Sequence, residues 1–279
     1  METPKDKEQT RLLSELTQGI EALTSSKAWS DYLAMQAKFP TYSASNVMLI
    51  AAQRPDATRV AGFRAWTRLG RHVNRGERAI WILAPMVSRS RTRADHDAEA
   101  ERVVWGFKMV PVFDVAQTDG LPLPSVCSRL EGEEPFGYFA QLVGVAEQIG
   151  FEVERCALDN GVNGDCAFAT RTIRVDDRNA PLQQVKTLAH ELAHAMLHAS
   201  SVDRALAELE AESAAFVVCQ SLGIATGDYS FGYVASWAGG GSTAVSMIKS
   251  SCRRIQETAS AILDMLEAAP RAQTSGVRP

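Results

Sequence analysis

The sequence predicts an α+β protein in two parts: a small N-terminal α+β module and a second domain built around a metal-binding helix. Three observations predict it. Residues 187–198 carry His190-Glu191-Leu-Ala-His194, an HExxH motif, with no Gly or Pro to break a helix. Residues 54–115 alternate arginine-rich turns with apolar, aromatic-bearing runs of strand type. Between these regions, 121–135 is rich in Pro, Gly and Glu and reads as a linker. The expected division is 1–120, linker 121–135, a second domain over 136–269, and a disordered tail over 270–279.

On a helix, residues four apart share a face, with Cβ atoms about 6 Å apart. That spacing lets His190 and His194 meet one metal ion at about 2.0–2.1 Å, with Glu191 beside it to take a proton from water. The competing reading is a buried helix with two satisfied histidines, and context decides against it. The runs 167–170 and 172–176 read as short strands leading into the helix, the zincin layout, in which an edge strand can hold an extended peptide. A further helix, 203–222, carries Glu208, Glu210 and Glu212. A catalytic zinc site needs three protein ligands and one open position, so one of these carboxylates completes it. Glu208 and Glu212 share a face, whereas Glu210 points roughly 160° away. Glu208 is the expected ligand, and Glu212 the group that orients a ligand. His198 lies about 12 Å along the axis from His190, too far to join one tetrahedral ion on a straight helix. It is expected at the helix end or behind a ligand.

Hydrophobic residues make up 46% of the 279-residue chain and charged residues 22%, a globular composition. No apolar run reaches membrane-spanning length, and 1–13 lacks the apolar centre of a signal peptide. The five cysteines are scattered without a CxxC pair. They read as reduced thiols of a cytoplasmic protein rather than nucleophiles. The net charge of −4 conceals an asymmetry. Residues 1–125 hold 17 Lys and Arg against 14 Asp and Glu, and the remainder 12 against 19. Within 54–93 there are ten arginines against Asp56 and Glu77. Clustered arginine among aromatics points to an anionic polymer, or else to a solvated basic face.

In chain order, 8–24 and 30–38 read as amphipathic helices, followed by a short helix capped near Ser43 or Ser45. Asn46 in its first turn is a cap residue or a nucleic-acid contact. A strand over 79–85, a hairpin tip over 88–101 and a return strand over 102–115 complete a module with a basic, aromatic groove. Single-strand binders use that combination, stacking bases on aromatic rings while cations follow the backbone. The expected DNA contacts are Asn46, Arg64, Trp66, Arg68, Arg71 and Arg75. In the second domain, 136–149 and 242–267 read as helices and 151–155 as a strand. An aromatic stretch, 227–237, could offer a tyrosine to an oxyanion. GxGxxG and GxxxxGK[ST] phosphate loops are absent.

Several spaced motifs carry a family resemblance. Tyr42-Ser43 with Asn46, Gln53-Arg-Pro55, Val60-Ala-Gly62, Trp66 with Leu69-Gly70-Arg71, and 112–118 resemble the single-stranded-DNA-binding domain of ArdC-type antirestriction proteins. The segment 208–216 resembles the third-ligand helix of ImmA/IrrE-type and ArdC-type metallopeptidases, whose ligand glutamate precedes an Asn, Asp or Glu by four residues. Glu208 and Glu212 fit those places. The resemblance implies single-stranded DNA as a partner without strong sequence preference, Zn2+ held by His190, His194 and Glu208, and Glu191 as catalytic base. The short linker and the acidic second half favour a protein substrate near DNA. The alternative class is an antirestriction DNA binder whose protease fold is inactive or structural.

Overall fold

The computed structural model describes residues 4–23, 25–89, 102–123, 136–159, 161–199, 203–224 and 241–268. The linker stretch 124–135, the hairpin tip over 90–101, the aromatic stretch 227–237 and the tail 270–279 lie outside them. The chain forms two compact units, Met1–Gly19 with Ser45–Ser125, and Ile20–Ala44 with Val126–Pro279.

In the first unit, α1 (Pro4–Ala22, to Gly19) and α3 (Ala44–Gln53) accompany β1 (Val60–Ala61), α4 (Phe63–Arg68), β2 (Arg71–Val73), β3 (Ile80–Arg89), β4 (Arg102–Asp114) and β5 (Thr118–Gly120). The strands form a β1-β4-β3 sheet and a β2-β5 pair, all antiparallel. Val47, Ile50, Trp66, Ile80, Ile82 and Val112 are buried and make the core. Because β3 ends its sheet, one row of its peptide groups lacks a strand partner. Two amides on α3 take that row. Asn46 accepts from Leu83 N and donates to Leu83 O, both at 2.9 Å, and Gln53 does the same for Trp81 at 2.9 and 2.8 Å. Helix side chains thus complete a sheet edge.

A second node sits at Asp114. Its carboxylate accepts from the backbone N–H of Thr58, Arg59 and Ala116, while Asp114 N donates to Gln117 Oε1. Gln117 also donates to Glu77 and to Arg78 O. The run 112–118 is therefore a folding element that ties three loops together.

The second unit contains α2 (Ser26–Lys38), α5 (Phe136–Gln148), β6 (Glu152–Cys156), β7 (Gly164–Ala167), β8 (Thr172–Asp176), α6 (Pro181–Leu197), α7 (Arg204–Ser221) and α8 (Gly241–Ala268). Its sheet runs β6-β8-β7, with β6 parallel and β7 antiparallel to β8. The first strand of this hairpin falls earlier than the 167–170 expected from sequence. The reason is that 168–171 must reverse the chain for Ala167 to pair with Thr172, with Arg171 at φ 55°.

The membership of α2 departs from the expected 1–120 module. Trp29, with no exposed surface, donates from Nε1 to Ser213 Oγ at 3.0 Å, and Ser221 Oγ donates to Ala37 O at 2.9 Å. Gln256 reaches Pro40 O at 3.1 Å. The helix also starts four residues before the expected Ser30, because Ser25 accepts from Ala28 N as its cap. A helix early in the chain is thus a wall of the second unit. Trp29→Ala should cost about 3–5 kcal/mol of stability by leaving a cavity against α7. Chemical denaturation of the full chain measures it.

Candidate metal centre

Pro181 opens α6 with its φ already helical. The helix buries Val185, Leu188 and Leu192, which fixes the opposite stripe of His190 and His194 toward α7. Their Nε2 atoms face one another at 3.0 Å. Asp203 caps α7 by accepting from Leu206 N, and Glu208 follows in the second turn. Glu208 Oε2 lies 3.4 Å from His190 Nε2 and 3.7 Å from His194 Nε2. Donors bonded to one tetrahedral ion at about 2.0–2.1 Å stand about 3.3 Å apart. The spacing of this cluster is that of a ligand set.

The hydrogen bonds behind the cluster decide where the imidazole lone pairs point. Glu210 is buried as a carboxylate between Arg254 and Ser251, whose Oγ donates to it at 2.6 Å. In its neutral form His198 donates from Nε2 toward Glu210, 3.4 Å away, and accepts at Nδ1. His194 Nδ1 lies 2.9 Å from it and so carries the proton. On the other side, His190 Nδ1 donates to Glu212 at 3.0 Å, and Lys186 holds Glu212 at 3.0 Å. With both rings neutral, the Nε2 lone pairs converge with the Glu208 carboxylate on one point, the donor set of a divalent ion. Without an ion, a proton on His190 Nε2 bridges to Glu208 instead. Burial opposes a charge on His190, yet bonds to Glu208 and Glu212 outweigh it and push the imidazole up to about 9. The same two histidines hold Glu208 well below the usual carboxylate range.

Glu191 is buried beside the cluster, and desolvation, with Glu208 and Asp165 adding to it against the pull of His190, raises its carboxyl to about 7. Strand β7 passes against it. A Cβ on Gly164 would come 3.2 Å from Glu191 Oε1, 2.9 Å from Arg174 O and 2.5 Å from Thr187 Cγ2. Only glycine lets this strand approach so closely. Burial, with Glu191 and Asp165 adding to it, pushes the Cys166 thiol up to about 12, which leaves it unreactive as a nucleophile.

The expected DNA contacts fare differently. Trp66 is buried and donates to Phe113 O at 2.9 Å, so it offers no stacking face. Arg71 is spent on Thr118 and on the carbonyl of Leu121, and Asn46 on β3. These three are corrected to structural roles: each satisfies backbone groups that a short-stranded module leaves unpaired. Arg64, Arg68 and Arg75 are exposed. Sequence reasoning missed two further features. One is the path His198–Glu210–Arg254, whose signal was an arginine flanking the apolar stripe of α8. The other is Trp105 and Phe107, 65% and 58% exposed at alternate positions of β4.

An HExxH helix facing a glutamate-bearing helix beside an edge strand defines a zincin-like domain. Residues 146–219 match the Peptidase M78 family model, described as the IrrE N-terminal-like domain, and 6–113 match the N-terminal domain of anti-restriction factor ArdC. In its domains and their order the chain is ArdC-like. An uncharacterized Bacillus anthracis protein is 26% identical over 315 aligned residues, covering 95% of this chain and 53% of its own length. The chain thus spans about half of that curated relative. The metal-free crystal structure of antirestriction ArdC from plasmid R388 is 21% identical, with 82% of this chain and 87% of that one covered and a TM-score of 0.50. Its Mn(II)-bound structure is 19% identical, covers 96% and 98%, and has a TM-score of 0.55. These structures share the fold.

His198→Ala should lower divalent-ion affinity about 10–100-fold, since it frees the His194 ring to rotate and change tautomer. His198→Gln, whose carbonyl can still accept from Nδ1, should recover part of the loss. Titration of the apoprotein with Mn(II) or Zn(II) against a chelator measures both.

Proposed function

We propose that the chain is a zinc-dependent metallopeptidase of the antirestriction type that binds single-stranded DNA and cleaves a protein near it. The observation that carries the peptidase reading is the convergence of His190, His194 and Glu208 beside a buried Glu191, along an edge strand. His190, His194 and Glu208 would hold the ion, which when bound supplies Lewis acidity toward a carbonyl and acidifies a water molecule. Glu191 takes the proton as the water oxygen bonds to the peptide carbon, and returns it to the departing amine as the C–N bond breaks. The outer edge of β7 carries no strand among the described residues and suits an extended substrate backbone.

The DNA reading rests on the ArdC-like first unit and on its surface. Arg59, Arg64, Arg68, Arg75 and Arg78 are exposed, as are Trp105 and Phe107 on β4. A stacked base is worth about 1–3 kcal/mol per ring, so stacking belongs to Trp105 and Phe107 rather than to Trp66. Both units belong to one chain, which favours a substrate already held near DNA. The acidic second half leaves the strand to the first unit.

Glu191→Gln should abolish peptide cleavage while metal and DNA affinity persist. Comparison of the proteomes of cells expressing each form reads the cleavage. Absence of bound metal in purified wild type, or products that persist in Glu191→Gln, would remove the enzyme. Trp105→Ala with Phe107→Ala should weaken single-strand binding by about tenfold or more, as measured by fluorescence anisotropy.

A further inference from the structure

The first unit contains a cavity of about 670 Å³ between the end of α3, the turn before β3 and α1. Arg54, Arg75 and Arg78 line it with Arg11, and Glu77 is the one acid in the wall. The neutral polar groups there are already committed. Gln53 is bound to the backbone of Trp81, and Gln117 to Asp114 N, Glu77 and Arg78 O. Glu77 is thereby held by an amide rather than by a guanidinium.

Arg54 is the telling residue. Its Nε is buried without a hydrogen-bond partner, although Asp56 Oδ1 pairs with its charge at 3.6 Å. Its guanidinium thus keeps hydrogen-bonding capacity at the cavity wall. Arg75 and Arg78 flank the tight turn at Gly76, where φ is 91°, and bring two more guanidinium groups to the rim. Several planar forks around a net positive, polar space recognise tetrahedral oxyanions with bidentate bonds. The volume lies in the range of sites that enclose a nucleotide-sized ligand.

We infer that this cavity is a phosphate-binding site that holds a backbone phosphate of single-stranded DNA. The assignment rests on the single-strand-binding reading and adds the place where the strand is gripped. The aromatics of β4 stack bases, and the arginine cavity fixes the backbone.

The test uses the full chain and a fluorescent thymidine oligonucleotide across a sodium chloride series. Arg75→Gln with Arg78→Gln, both at exposed positions, should flatten the plot of log affinity against log salt by about 0.7 for each phosphate that is no longer neutralised. Inorganic phosphate should displace the oligonucleotide from wild type at lower concentration than from the variant. If the variant keeps the wild-type slope and affinity, the cavity does not hold the strand and the inference falls alone. If thymidine monophosphate binds the cavity of wild type while the variant still binds the oligonucleotide unchanged, the site serves a free nucleotide and the inference is again wrong. If wild type binds no oligonucleotide at all, the single-strand reading itself fails, a result distinct from the other two.

Discussion

Two imidazole lone pairs aimed at one point are the constraint on which the second unit depends. Helical spacing brings His190 and His194 together, but spacing alone leaves each ring two tautomers and free rotation. Glu212 settles one ring and His198 the other, and each of these is held in turn, by Lys186 and by Glu210. Glu210 is anchored by Ser251 and Arg254 on α8. Three helices thus set the angle of two rings. A buried carboxylate needs such compensation, and breaking one partner costs more than the pair is worth in isolation.

The centre was largely legible because its signal is local. HExxH, the absence of a helix breaker and the alternating glutamates of α7 all lie within short windows, where helical geometry is a reliable ruler. The eight-residue separation of His190 and His198 likewise keeps His198 out of the cluster of His190, His194 and Glu208. What spacing could not reveal was the partner of Glu210. Helical geometry turns it away from Glu208, yet the residue it faces is over forty positions later on another helix.

The first unit was legible as a module and misleading in detail. Asn46, Trp66 and Arg71 stand out in the sequence as polar or aromatic residues in a basic context, the pattern expected of nucleic-acid contacts. Short strands and tight turns leave many peptide groups without partners, and these side chains supply them. A side chain that closes backbone bonds and one that binds a ligand look alike in sequence, and only burial separates them. Trp105 and Phe107 show the converse: a long strand reads as core by its apolar content until one sees that part of it stands clear of the core.

The place of α2 has a consequence for how such a protein can be cut and recombined. The Pro- and Gly-rich stretch between the halves looks like the natural seam, but a break there strands residues 20–44 with the wrong partner. The second unit would be left without the indole of Trp29 and its bond to Ser213, and the first would carry an apolar helix with nothing to cover it. The two units are not interchangeable cassettes. An exchange that keeps the second unit intact has to carry residues 20–44 along with it.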